Sequence, residues 1–174
     1  NNSEKNLSIG KLISIAEDAG FINEITKWVI KTAIAQIREW KDNGLDICVS
    51  INLSANDIVD NSIIYYTKDL LKEYNVEPSR VEFELTERSI INDLDRAYEV
   101  LNNTRELGVK ISLDDYGIGH NSLVYLVDSD FPYDYIKIDK GFIDNIDKAQ
   151  NQSLINGIIR TAHILNIKVI AEGV

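Results

Sequence analysis

The chain has a single cysteine, Cys48, among its 174 residues. No intrachain disulfide can form, and the sequence fits a reducing, cytoplasmic setting. Positive charge is also scarce. Eighteen Lys and Arg stand against 28 Asp and Glu, a formal net charge of −10. Such a surface repels DNA, RNA and anionic lipid, so no DNA partner is expected. A phosphate ester could be held only where metal ions or local lysines reverse that repulsion. No apolar run reaches spanning length, and the opening NNSEKNLS does not read as a secretion signal. No direct membrane insertion is expected of this segment. No GxGxxG follows a first strand, which leaves dinucleotide binding of the Rossmann type without support. Neither His120 nor His163 has metal-ligand spacing, and no internal repeat or low-complexity tract is evident.

What the sequence does have is 44% hydrophobic residues, enough for one domain with a sizeable core. The periodicity predicts a short helix that stops near Gly20. A longer one follows, with Ile25, Trp28, Val29, Ala33, Ile37 and Trp40 on its stripe, so both tryptophans read as core. A strand over Ile47 to Leu53 is expected to bury Cys48. Amphipathic Ile58 to Tyr74, strand Val81 to Thr86, helix Leu94 to Leu107 and the strand from Lys110 come next. A short helix around Ser122 to Val127, strand Tyr135 to Asp139, helix Ser153 to Leu165 with Leu154, Ile155, Ile158, Ile159, Ala162 and Leu165 in register, and strand Lys168 to Ala171 complete the reading. Five alternations of strand and helix predict parallel strands joined by right-handed crossovers. An open doubly wound sheet and a closed barrel both satisfy that pattern.

The stretch Lys110 to Gly119, KISLDDYGIG, organises the rest. Its strand ends in two adjacent carboxylates, Asp114 and Asp115, which is costly unless a cation or solvent balances them. The other strand ends present Asn52, Glu84, Lys137 and Glu172, on the side where parallel α/β folds build their active sites. Asn52, Glu84 and Asp114 each have a polar residue two positions back, Ser50, Glu82 and Ser112. Any one of these carboxylates alone is explained by a surface turn. Together they read as a hard oxygen site that suits magnesium, manganese or calcium rather than zinc. Two adjacent carboxylates can serve two ions, and two ions suit phosphodiester hydrolysis.

The motifs IAEDAGFI, SINLS, FELTE, LDDYGIGHNSL, IKIDKGFI and VIAEGV occur in this order. In them the chain resembles the EAL domain, a bacterial phosphodiesterase module for cyclic di-GMP. The resemblance implies a TIM-like (β/α)8 barrel of the EAL type, present here as about five strands. Residues 1–174 would be a single EAL domain truncated at both ends, beginning after the Glu-Ala-Leu motif and ending before the last strand. It also implies two ions, magnesium or manganese, and hydrolysis of cyclic di-GMP to linear pGpG. Asn52, Glu84 and Asp114 would hold the first ion. Asp114 and Asp115 would hold the second, with Glu172 on that ion or its water. Lys137 would assist the attacking water, and Glu87 would anchor the loop after the Asp-Asp strand. A homodimer, and sensor or cyclase domains in the same full-length protein, would be the partners. The alternative is an inactive EAL domain serving as a cyclic di-GMP receptor or protein-interaction module. Against the family pattern the Glu-Ala-Leu glutamate, a ligand of the first ion, is missing, the loop differs at Ile118 and His120, and the VDSDFP stretch is longer.

Overall fold

Four of the five strands described alternate apolar and polar side chains, and that alternation decides how the sheet is used. The computed structural model describes residues 8–91, 93–116 and 132–174. The strands are β1 (Val49–Asn52), β2 (Val81–Thr86), β3 (Lys110–Tyr116), β4 (Tyr135–Ile138) and β5 (Lys168–Ala171). They form one sheet in the order β1-β2-β3-β4-β5, every pair parallel. A doubly wound sheet reverses its strand order at a switch point. This sheet never reverses, so of the two arrangements open in the sequence the barrel progression is the one adopted.

Ile51, Phe83, Ile111, Leu113, Ile136 and Ile138 point to one face and are at most 2% exposed. Against that face pack α2 (Ile22–Asp42), α3 (Ser62–Tyr74), α5 (Leu94–Leu107) and the long C-terminal helix, here α7 (Ala149–Ile164). Their buried residues join a single core cluster: Ile30 and Ile34, Ile63 and Leu70, Val100 and Leu101, Ile155 and Ile158. The other face carries Ser50, Asn52, Glu82, Glu84, Lys110, Ser112, Asp114, Tyr135, Lys137 and Lys168, by strand alternation and register. A parallel sheet with helices on both faces has apolar residues on both. Here a single apolar face takes the helices, as in the wall of a barrel, and the polar face is the inner one.

Short helices among the described residues include α1 (Ile9–Asp18), α4 (Glu87–Ile91) and α6 (Lys140–Ile143). Helix ends follow the local chemistry. Asp93 accepts from the Arg96 amide at the start of α5, and Gly108 ends that helix at φ 89°. That left-handed conformation is one glycine adopts without penalty.

Three expectations need correction. The buried stripe of α2 is Ile22, Thr26, Ile30, Ile34 and Ile37, and Trp28 is 67% exposed rather than core. Apolar residues occupy more than one side of this helix, and tertiary packing selects the side that faces the sheet. Cys48 is exposed, because β1 begins at Val49 and Cys48 shares the parity of the polar Ser50 and Asn52. Its Sγ lies 3.7 Å from the Ser79 carbonyl oxygen. Leu154, placed on the apolar stripe of the last helix, is 42% exposed. The helix expected around Ser122–Val127, the loop residues Ile118 and His120 and most of VDSDFP lie outside the described residues.

Candidate active site

Register brings the expected residues to one end of the polar face. Asn52 pairs with Glu84, and Glu84 with Ser112. Asp114 pairs with Thr86 one row higher. Lys137 follows Tyr135 on β4, and Glu172 follows β5, where its amide donates to the Ile138 carbonyl at 3.2 Å. That bond continues the β4–β5 ladder by one residue and fixes Glu172 against Lys137. Gly173 then turns the chain at φ 71°, with the place of a Cβ only 2.6 Å from Lys140 Cγ.

Strand alternation should send Asp114 and Asp115 to opposite faces. Asp115 instead adopts φ 54°, and the β3–β4 register shifts between Leu113 and Tyr116. This bulge re-aims the side chain. Oxygen atoms of Asp114, Asp115 and Glu172 consequently lie within 4.8 Å of one another. The Asp115 amide donates back to Asp114 Oδ1 at 3.0 Å, which ties the two carboxylates together.

Lys137 Nζ reaches into this group. It lies 2.6 Å from Glu84 Oε1, 3.0 Å from Glu172 Oε1 and 3.9 Å from Asp114 Oδ1. Desolvation pushes the pKa of Lys137 down. The hydrogen bonds to Glu84 and Glu172 and the nearby carboxylate charge outweigh it, and the pKa ends above the ordinary lysine value. Lys137 is therefore held as an ammonium, a donor rather than a base. The Asp114 pKa is raised, first by desolvation and then by Glu172 and Glu84, against the opposing pull of Lys137. Burial thus leads the shift, and the neighbouring carboxylates add to it.

The donor set fits a divalent cation of the magnesium or manganese type: carboxylate oxygens from β3 and the end of β5, with the Glu84 carboxylate and Asn52 amide in line on the same face. The structure brings Glu84, Asp114, Asp115, Lys137 and Glu172 together. Asn52 lies at the rim, exposed, beside an open cavity of about 670 Å³ that Ile13, Glu17, Thr26 and Thr86 also line. Glu87 opens α4 outside the cluster, and its charge acts on the Tyr116 and Tyr133 hydroxyls. Burial, aided by that charge, pushes both tyrosines far above their usual pKa. Ser112 Oγ is fully enclosed on the polar face, with no hydrogen-bond partner among the described residues.

One supporting group escaped the sequence reading. Asp57 is 0% exposed, and its Oδ2 accepts from Thr26 Oγ1 at 2.8 Å, the Ser54 amide at 2.9 Å and Ser54 Oγ at 2.7 Å. It binds α2 to the turn just after Asn52. The signal was present as Ser54-Ala55-Asn56-Asp57, a Ser-x-x-Asp capping pattern.

The EAL domain family model matches residues 1–174. The chain is 43% identical over 166 residues to Signaling protein YkoW of Bacillus subtilis, covering 95% of this chain and 20% of that protein. It is 39% identical over 163 residues to Cyclic di-GMP phosphodiesterase PdeR of Escherichia coli, covering 93% of this chain and 24% of the relative. The chain thus spans about a fifth to a quarter of the length of these curated relatives. A solved structure, "PaMucR Phosphodiesterase, c-di-GMP complex", superposes with a TM-score of 0.86 at 33% identity, over 97% of this chain and 68% of that one. A match along the whole sequence, on a fold that a solved relative shares, makes this chain a member of the EAL domain family.

Proposed function

We propose that the chain is the catalytic core of a cyclic di-GMP phosphodiesterase that opens one phosphodiester bond to give linear pGpG. The observation that carries this reading is the convergence of Glu84, Asp114 and Glu172 around the Lys137 ammonium, with Asp115 beside Asp114 and Glu172. The names of the relatives support the substrate class: PdeR is a cyclic di-GMP phosphodiesterase, and the MucR phosphodiesterase was solved in a c-di-GMP complex. Because those relatives are much longer, residues 1–174 are proposed as one part of a larger signalling protein.

In this reading Asn52, Glu84 and Asp114 hold one magnesium or manganese ion, and Asp114 and Asp115 a second, with Glu172 on it or its water. What such ions supply when bound is a water acidic enough to act as nucleophile and charge to balance the phosphate. Lys137, held protonated, donates hydrogen bonds that orient the attacking water or neutralise a phosphate oxygen. Asp57 and Thr26 hold the turn that carries Asn52. Glu87 keeps the role of loop anchor that the family resemblance implies, for a loop most of which lies outside the described residues.

The test uses the full-length protein, cyclic di-GMP and manganese, with the linear product separated by chromatography. Turnover is expected from the wild type. Chelator should abolish it, and magnesium or manganese should restore it. Asp114→Asn should abolish it as well, because the carboxylate shared by both ions loses its charge. Undiminished hydrolysis by Asp114→Asn would remove the two-ion assignment. Binding of cyclic di-GMP without any turnover would favour a receptor.

A further inference from the structure

We propose that Lys137 is an internal counter-ion that contends with the divalent cation for the same carboxylate oxygens, and so sets how tightly this site takes its metal. The proposal rests on the metal-centre reading above and adds to it a determinant of affinity. Lys137 Nζ is placed among carboxylates from three strands: Glu84 of β2 at 2.6 Å, Asp114 of β3 at 3.9 Å and Glu172 after β5 at 3.0 Å. The lysine side chain is 14% exposed and that of Glu84 is 7% exposed, so the Lys137–Glu84 contact is not a loose surface pair. Glu172 belongs both to this clamp and to the trio of acidic residues whose oxygens converge.

The geometry sets the conflict. A magnesium ion takes its oxygen ligands at about 2.0–2.1 Å. An ion on Glu84 Oε1 would sit within about 5 Å of an ammonium held at its present 2.6 Å from the same oxygen. Like charges that close, at a carboxylate as enclosed as that of Glu84, cannot both keep full hold of it. Either the lysine yields the oxygen or the ion binds less tightly. Coupling of this kind is reciprocal: whatever the ammonium costs the metal, the metal costs the ammonium. The lysine has a second effect. Without it, and without a cation, four carboxylates face one another at the strand ends.

Manganese binding is measured by calorimetry and thermal unfolding on the full-length protein, for wild type, Lys137→Met, Lys137→Gln and Asp114→Asn. Lys137→Met is expected to unfold at a lower temperature without metal and to gain more from manganese than the wild type does. Its manganese affinity should rise roughly 5- to 150-fold. Lys137→Gln, which keeps a hydrogen-bonding group beside Glu84, should show the same direction if the methionine variant folds poorly. The gain should persist at high ionic strength, because the contacts are direct and enclosed rather than long-range. Manganese binding by the wild type but not by Asp114→Asn, with no tighter binding in either Lys137 variant, would overturn the contest and leave the metal centre standing. Absence of manganese binding in the wild type would overturn both.

Discussion

Asp115 illustrates how one backbone angle shapes the site. Two adjacent strand residues cannot share a face, yet the positive φ at Asp115 brings its carboxylate into the same group as Asp114. Asparagine tolerates that backbone region and a β-branched residue does not. Asp115→Asn is therefore expected to unfold at nearly the wild-type temperature while binding manganese more weakly. Asp115→Val should lose metal binding and also about 1–3 kcal/mol of stability, the cost of a strained conformation. Thermal unfolding and calorimetry on the two variants separate charge from backbone, and equal stability losses would show that φ is unimportant there. Glu87 acts at greater range. Glu87→Ala is expected to lower turnover with little change in unfolding temperature, because Glu87 opens α4 outside the acidic cluster. A large loss of stability would mark it as structural instead. The identities of the acidic residues were plain in the sequence. The bulge was not, since nothing in Lys110–Tyr116 announces a register shift.

At the level of elements, β2, α5 and β5 have the bounds that periodicity and turn residues predict. Helix α2 shows where that reasoning stops. Its buried stripe contains Thr26, a polar residue that the period of apolar positions passes over, and excludes Trp28. Thr26 is inside because Asp57 needs a donor, and that pairing spans 31 residues. Asp57→Ala strands the buried Thr26 hydroxyl and the Ser54 amide, at about 1–3 kcal/mol for each unsatisfied group. Chemical denaturation measures the loss, and a change within error would mean that water takes the place of the carboxylate. The start of α3 offers a test by pH. Burial alone would raise the Asp60 pKa, but its hydrogen bonds with the Ser62 hydroxyl and amide bring it below the ordinary aspartate value. A depressed carboxylate pKa stabilises the fold above the unfolded pKa of about 3.9, and that share is lost as pH falls through the folded value. Asp60→Asn should thus be less stable than wild type at pH 7, with the gap closing as pH falls below the unfolded aspartate value. A gap independent of pH would show that the charge of Asp60 is not what matters.

Across the whole molecule, the sheet order and the one-sided core explain why a five-fold strand–helix alternation reads as a barrel only once the polar parity of β1 to β4 is counted. The strand-end site was legible for the same reason: β1, β2 and β3 each carry two polar residues at alternate positions, and their register aligns them. The Lys137 contacts with Glu84 and Glu172 were not legible, because they cross strands 53 and 35 positions away in sequence. Among the described residues, β1 and β5 each pair on one side only. Strand edges of that kind recruit other chains. Residues 1–174 expressed alone are expected to self-associate, which light scattering at several concentrations would detect; a monomer throughout would mean the edges are protected. The two-faced sheet also makes a forecast for genetics. In a saturation library read once for cellular abundance and once for signalling output, the two maps should interleave along every strand. Abundance should fall at Ile51, Phe83, Leu113 and Ile136. Output should fall, with abundance spared, at Asn52, Glu84 and Asp114, which neighbour the first three. Selection on this protein would then act at two alternating rates, one for keeping the fold and one for keeping the message.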